Sequence, residues 1–168
     1  MDIVLITGLS GSGKSVALNL LEDAGYYCVD NLPANLLPNL VSTLSVQAHE
    51  LVAVSIDARS SADFTKLPDQ IAAFRAQGFG VHSLFLTAND NALIQRFSET
   101  RRRHPLSRED GLNNDLSLTD SIAPERERLL PLLGVSAVLD TSTIKARQLP
   151  LWLTALLGLE SKGLNVLF

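Results

Sequence analysis

The feature that most constrains the fold of this chain is an eight-residue loop near its first residue, Gly8-Leu9-Ser10-Gly11-Ser12-Gly13-Lys14-Ser15. The loop matches the pattern GxxxxGK[ST]. Residues 3–7 before it, four apolar residues and Thr7, predict a short strand, and residues 16–24 after it predict a helix. A phosphate-binding loop joins a strand to the start of a helix in this way.

The residue types of the loop have a specific physical use. Glycines at positions 8, 11 and 13 let the backbone curl, so that unpaired N–H groups converge on one phosphate-sized hollow. Lys14 is placed to reach the β- and γ-phosphates of a nucleoside triphosphate, and the Ser15 hydroxyl to bind Mg²⁺. The predicted nucleotide-binding residues are Gly8, Leu9, Ser10, Gly11, Ser12, Gly13, Lys14 and Ser15.

Apolar runs and helical periodicity alternate along the chain. Strands are predicted at residues 3–7, 26–29, 51–56, 81–86 and 137–140. Helices are predicted at residues 16–24, 33–44, 62–77, from Asn89 onward, 117–133, and after residue 143 to about 157. We expect disturbances of these helices near Pro38, Pro124 and Pro150. The alternation is typical of an α/β fold in which a parallel five-stranded sheet carries helices on both faces, and the loop selects a P-loop NTPase similar to nucleotide kinases.

Composition narrows the class of protein further. A length of 168 residues with 46% hydrophobic content predicts one globular domain over residues 1–157, and residues 158–168 resemble a linker and the opening strand of a further domain. The net charge of −4 argues against a general binder of nucleic acids. There is no charged leader and no apolar run long enough to span a bilayer, so we expect a cytoplasmic protein without a membrane partner.

Two carboxylates follow predicted strands. Asp57 closes the third strand, where a Walker B carboxylate would hold Mg²⁺ directly or through water; the alternative is a surface residue that starts a turn. Asp30 follows the second strand, where a small-molecule kinase would activate the acceptor hydroxyl; the alternative is a helix N-cap. Asp57 supports a nucleotide hydrolase, whereas Asp30 supports a P-loop kinase that phosphorylates a small hydroxyl-bearing metabolite.

Arg96, Arg101, Arg102 and Arg103 form the densest positive cluster, at the place where kinases of this topology carry a lid over the nucleotide. Arginines there can neutralise charge on the transferred phosphoryl group. The alternative is that they are solvated residues at a helix end. Trp152 and the phenylalanines are expected in the core, without a role in cofactor binding.

Four segments together resemble the RapZ-like family of bacterial P-loop nucleotide-binding proteins, over essentially the whole chain. They are residues 8–15, 17–33, 55–59 and 100–106, with the sequences GLSGSGKS, ALNLLEDAGYYCVDNLP, SIDAR and TRRRHPL.

The resemblance implies weak ATPase and GTPase activity, with ATP or GTP and Mg²⁺ as cofactors. It implies an ATP or GTP site at residues 8–15 and a second guanine-nucleotide motif at Asp57, Ala58, Arg59 and Ser60. The positions and chemistry of the residues themselves predict catalytic roles for Lys14, Asp57, Arg101 and Arg102. In the family, an RNase adapter delivers small regulatory RNAs to an endoribonuclease and so controls amino-sugar synthesis. The implied partners of a full-length protein are therefore a small regulatory RNA, an endoribonuclease and further copies of itself.

Overall fold

A computed structural model describes residues 1–56, 63–100 and 114–158. The described strands are β1 (Asp2–Gly8), β2 (Tyr27–Leu32), β3 (Leu51–Ile56), β4 (Gly80–Thr87) and β5 (Ala137–Asp140). The described α-helices are α1 (Lys14–Asp23), α2 (Leu37–Val46), α3 (Leu67–Ala76), α4 (Asp90–Thr100), α5 (Asn114–Leu129) and α6 (Leu149–Leu157). Short 3₁₀ helices lie at Ala34–Leu36, Phe64–Lys66 and Leu130–Val135.

The strands form one parallel sheet in the order β2-β3-β1-β4-β5. The strand that leads into the glycine-rich loop, β1, lies in the middle, where Ile6 pairs with Ser55 of β3 and with Leu84 of β4. The carboxyl ends of parallel strands meet at one edge, and ligands of such sheets bind there. The predicted fold class, an α/β fold with a parallel five-stranded sheet, is confirmed.

Successive residues of β1 face opposite sides of the sheet, as a strand covered on both faces requires. Ile3 and Leu5 pack into a cluster with buried side chains of α2, α3, α4 and α5. Val4 and Ile6 pack into a second cluster with α1 and α6. Helices therefore cover both faces of the sheet, as the sequence predicted.

Two of the three prolines expected to disturb helices lie in first turns instead. Pro38 is in the first turn of α2, directly after a 3₁₀ turn, and Pro150 is in the first turn of α6. Proline is tolerated there because its missing N–H has no intrahelical partner in any case. We expected Pro150 to interrupt a helix, but the helix begins there instead. Pro124, the third, lies inside α5, which continues through it.

The surface of α6 differs from the prediction. Leu149 and Leu153 are buried, but Trp152 is 56% exposed, so its expected place in the core is wrong. The reason is that α6 packs through one narrow stripe, Leu149 and Leu153, into the cluster that it shares with α1, and Trp152 lies outside that stripe. Phe64, Phe74, Phe85 and Phe97 are buried, as expected.

Three predicted features lie partly or wholly outside the described residues: the start of the helix at 62–77, the arginines at 101–103, and the linker after Gly158. Among the residues described, no helix is both long enough and apolar enough to cross a bilayer.

Candidate nucleotide-binding site

The glycine-rich loop begins in tight contact with the neighbouring strand. Gly8 ends β1 with φ of 137°, and a Cβ built on it would lie 2.1 Å from the carbonyl oxygen of Leu86. The next amide, that of Leu9, donates to the same carbonyl over 3.1 Å. Only glycine combines this φ with such a close approach of two backbones.

The loop ends at the start of α1. Gly13 is the N-cap with φ of 110°, and its carbonyl accepts from the Ala17 amide at 3.1 Å. The Ser12 amide closes an internal turn by donating to the Leu9 carbonyl at 3.1 Å. In the described part of the chain, the amides of Gly13 and Ser15 donate to no backbone acceptor. Such amides, together with the helix dipole, form an anion-binding hollow.

Lys14 and Ser15 lie at the rim of this hollow. The Lys14 Nζ donates to the carbonyl oxygens of Gly8 at 2.7 Å and Leu9 at 3.2 Å, so the ammonium folds back over the first residues of the loop. Ser15 is exposed in the first turn of α1. An exposed hydroxyl at this place fits one oxygen ligand of a Mg²⁺ ion.

A second group of contacts holds the loop from outside. Arg96 of α4 donates from Nη1 to the Gly11 carbonyl and to the Thr141 hydroxyl, both at 3.0 Å, and from Nη2 to the Thr141 carbonyl. The Thr141 hydroxyl donates in turn to the Ser12 carbonyl at 2.7 Å. Desolvation lowers the pKa of Arg96, while Asp140 and Glu99 oppose that shift. Sequence reasoning selected Arg96 for a different role and missed Thr141, whose only signal is its position after β5.

A buried carboxylate also contacts the loop. Glu125 of α5 is 2% exposed, and its Oε1 accepts from the Ser10 amide at 2.9 Å and from the Ser10 hydroxyl at 2.7 Å. Sequence reasoning missed Glu125. A signal was available, because Glu125 is spaced three residues after Ile122 and four before Leu129, which places a charge on the buried face of the helix.

A polar cleft of about 470 Å³ opens at the carboxyl ends of β4 and β5, between Thr87, Asp90, Arg126 and Asp140. The Arg126 Nη2 donates to the Ala88 carbonyl at 2.5 Å and to Asp90 Oδ1 at 2.8 Å. The side chain and amide of Ser142 donate to Asp140 and lower the pKa of that carboxyl. The cleft therefore carries charges of both signs beside the glycine-rich loop.

Asp30 lies at the same edge of the sheet. Its Oδ1 accepts from the Ser55 hydroxyl at 2.5 Å, and the Ser55 oxygen accepts from the Asn31 amide at 2.8 Å. The N-cap of the following 3₁₀ helix is Pro33, and no side chain caps it. The helix-capping alternative for Asp30 is therefore wrong, and its exposed carboxylate is anchored to β3 instead.

Several predicted site residues lie outside the described part of the chain. They are Asp57, Ala58, Arg59, Ser60, Arg101, Arg102 and Arg103. The last described residue before the first group is Ile56, at the carboxyl end of β3, and the last before the second group is Thr100, at the end of α4. Their roles stay predictions.

Comparisons with known proteins agree with this geometry. Residues 1–160 match the model of the RapZ-like N-terminal domain. A nucleotide-binding protein of Aromatoleum aromaticum is 48% identical over 169 residues, covering 100% of this chain and 56% of the relative. A nucleotide-binding protein of Cupriavidus taiwanensis is 48% identical over 174 residues, covering 100% of this chain and 60% of the relative.

Among solved structures, a shikimate kinase from Bacteroides thetaiotaomicron superposes with a TM-score of 0.60 at 16% identity, covering 94% of this chain and 99% of the kinase. At that identity the likeness shows the fold alone, which is the P-loop kinase fold. The chain spans 56% and 60% of the length of the two curated relatives. By its match over residues 1–160 and its identity to these relatives, the chain belongs to the RapZ-like family and corresponds to its N-terminal domain.

Proposed function

We propose that this chain binds a nucleoside triphosphate with Mg²⁺ at the loop of residues 8–15 and hydrolyses it slowly, as a regulatory nucleotide-binding domain. The observation that carries the proposal is the geometry at the start of α1. The amides of Gly13 and Ser15 donate to no backbone acceptor in the described structure, and the Lys14 ammonium is held by the Gly8 and Leu9 carbonyls of the same loop. Amides and an ammonium in this arrangement bind a polyphosphate. The names of the relatives, nucleotide-binding proteins, support the same function.

Each residue has a proposed role. The amides of Gly13 and Ser15 hold phosphate oxygens, and Lys14 reaches the β- and γ-phosphates from the place where the Gly8 and Leu9 carbonyls hold its ammonium. Ser15 and Asp57 would hold Mg²⁺, which when bound neutralises charge on those phosphates. Arg101 and Arg102 stabilise the charge that develops during hydrolysis.

The base and the partners belong to the same proposal. Either ATP or GTP fits a loop that contacts only phosphates, and residues 57–60 are the proposed additional contacts to a guanine nucleotide. Contacts with a small regulatory RNA, with an endoribonuclease and with further copies of the protein are proposed for the full-length protein. This chain alone is acidic and should bind RNA weakly.

Calorimetry with Mg–ATP and Mg–GTP tests the proposal, with phosphate release followed on the same samples. We expect Lys14→Ala to weaken binding by about 10- to 150-fold, since a charge-assisted hydrogen bond contributes roughly 1.5–3 kcal/mol. Hydrolysis should fall to background. Lys66→Ala is the matched control, because this exposed lysine precedes α3 and its loss changes the charge equally. Equal turnover in Lys14→Ala and in the unsubstituted chain would exclude the assignment.

A second candidate is a kinase for a small hydroxyl-bearing metabolite, and the anchored carboxylate of Asp30 favours it. A carboxylate fixed at this edge can accept the proton of an acceptor hydroxyl. In that case one metabolite should raise nucleotide consumption, and Asp30→Asn should abolish the increase while leaving nucleotide binding intact. Asp23→Asn, at the far end of α1, is the control. Phosphate release that no metabolite accelerates favours the regulatory domain.

A further inference from the structure

Glu125 is the one charged side chain that is buried among the residues described. Burial of a carboxylate costs several kcal/mol unless hydrogen bonds compensate for the lost water. Here two donors from a single residue, the amide and the hydroxyl of Ser10, converge on Oε1 at 2.9 and 2.7 Å. The site already assigned to the glycine-rich loop does not require this carboxylate, so a role for it has still to be found.

The position of Ser10 within the loop is informative. Its two predecessors, Gly8 and Leu9, are the residues whose carbonyls hold the Lys14 ammonium at 2.7 and 3.2 Å. In a phosphate-binding loop that ammonium reaches the β- and γ-phosphates. The Ser10 donors, and with them the Glu125 carboxylate, therefore lie where the last phosphate of a triphosphate would approach.

The carboxylate is held there by the fold. Ile122 and Leu129, on the same face of α5, are 0% and 2% exposed. The adjacent Arg126 bonds to the Thr87 hydroxyl at the end of β4, to the Ala88 carbonyl and to Asp90, the first residue of α4. Glu125 thus lies on a helix that the core and β4 both hold in place. Its carboxylate therefore cannot easily move away when a ligand binds.

We propose that Glu125 determines the preference of this site for the number of phosphates, by placing a fixed negative charge against the terminal phosphate of a triphosphate. The proposal rests on the proposed function of the loop. A diphosphate has no group at that position and leaves the bonds between Glu125 and Ser10 in place. A triphosphate must approach the carboxylate, or displace it from Ser10, and either event disfavours the third phosphate.

Glu125→Gln tests the proposal with little change in shape. The amide oxygen of glutamine can accept both Ser10 hydrogen bonds, while the charge is removed. We expect the affinity for Mg–ATP to rise at least about tenfold relative to that for Mg–ADP, since one like-charge repulsion at close range is lost. The ratio of the two dissociation constants is the readout. Glu127→Gln, an exposed residue on the same helix, should leave that ratio unchanged.

The outcomes distinguish the role of Glu125 from the function of the loop. Failure of the unsubstituted chain to bind either nucleotide contradicts the proposed function itself. Normal binding with the same ATP-to-ADP ratio in Glu125→Gln overturns the role of Glu125 alone. An unchanged ratio with slower hydrolysis would also overturn it, and would assign the carboxylate to the attacking water.

A measurement on the unsubstituted protein covers the case in which Glu125→Gln does not fold. In the ¹⁵N-labelled chain, the Ser10 amide resonance should shift strongly with Mg–ATP and little with Mg–ADP, because only the third phosphate reaches that amide. Equal shifts with the two nucleotides would contradict the proposal.

Discussion

Cys28 is the only cysteine of the chain, and its thiol is partly buried beside two backbone carbonyls. The Sγ lies 3.5 Å from the Leu18 carbonyl and 3.6 Å from the Tyr26 carbonyl. Burial, and to a lesser extent the Glu22 carboxylate, raise the pKa of the thiol from 9.0 to about 11. The reactive thiolate is therefore about 100-fold scarcer at pH 8 than in an unperturbed cysteine.

We predict that alkylation of Cys28 by iodoacetamide at pH 8 is about 100-fold slower in the folded chain than in urea. The pH at which the rate reaches half of its maximum should also rise by about two units. Because the folded state holds this proton more tightly, the thiol stabilises the fold fully below pH 9, and the contribution is lost as the pH rises towards 11. Equal alkylation rates in the two states would contradict the assigned environment.

At the scale of an element, the junction between β1 and the loop depends on the absence of a side chain at position 8. A Cβ there would lie 2.1 Å from the Leu86 carbonyl oxygen, and a φ of 137° is strained for any other residue. We predict that Gly8→Ala lowers the free energy of unfolding by about 3–5 kcal/mol, because β1 and β4 must separate to admit the methyl group. Denaturant unfolding measures this loss.

Gly134→Ala provides the matched control for that measurement. A Cβ at Gly134 meets no heavy atom within 4 Å, and its φ lies outside the left-handed region. This substitution should change the free energy of unfolding by less than about 1 kcal/mol. Equal losses in the two variants would mean that the close approach to Leu86 is not what requires glycine at position 8.

The elements that the sequence predicted well are those specified by neighbouring residues. All five strands were predicted to within a few residues, because each is a short apolar run bounded by turn residues. The loop was predicted because its pattern occupies eight consecutive positions. Pro150 lies in the first turn of α6, although the sequence predicted that it would interrupt a helix. Proline occurs both inside interrupted helices and in first turns, and residue type alone does not distinguish these cases.

At the scale of the whole molecule, the features that could not be predicted join distant parts of the chain. The contact of Glu125 with Ser10 spans 115 positions, and that of Thr141 with Ser12 spans 129. Neither follows from local periodicity, because both depend on the order in which the strands assemble. The exposure of Trp152 has the same origin, since α6 is apolar on several sides and only tertiary packing decides which side is covered.

The central place of β1 in the sheet has a consequence for synthesis on the ribosome. The strand is translated before both of its partners, since β3 (Leu51–Ile56) follows it and β4 ends only at Thr87. The Thr7 hydroxyl bonds to the carbonyl of Leu84, 77 positions further on. Such non-local pairing slows folding, because a long chain segment must lose conformational entropy before the contacts that offset this loss can form. The nascent β1 therefore stays apolar and unpaired until β3 has been made, and its other edge stays open until β4 follows. This interval is when a chaperone would be needed most.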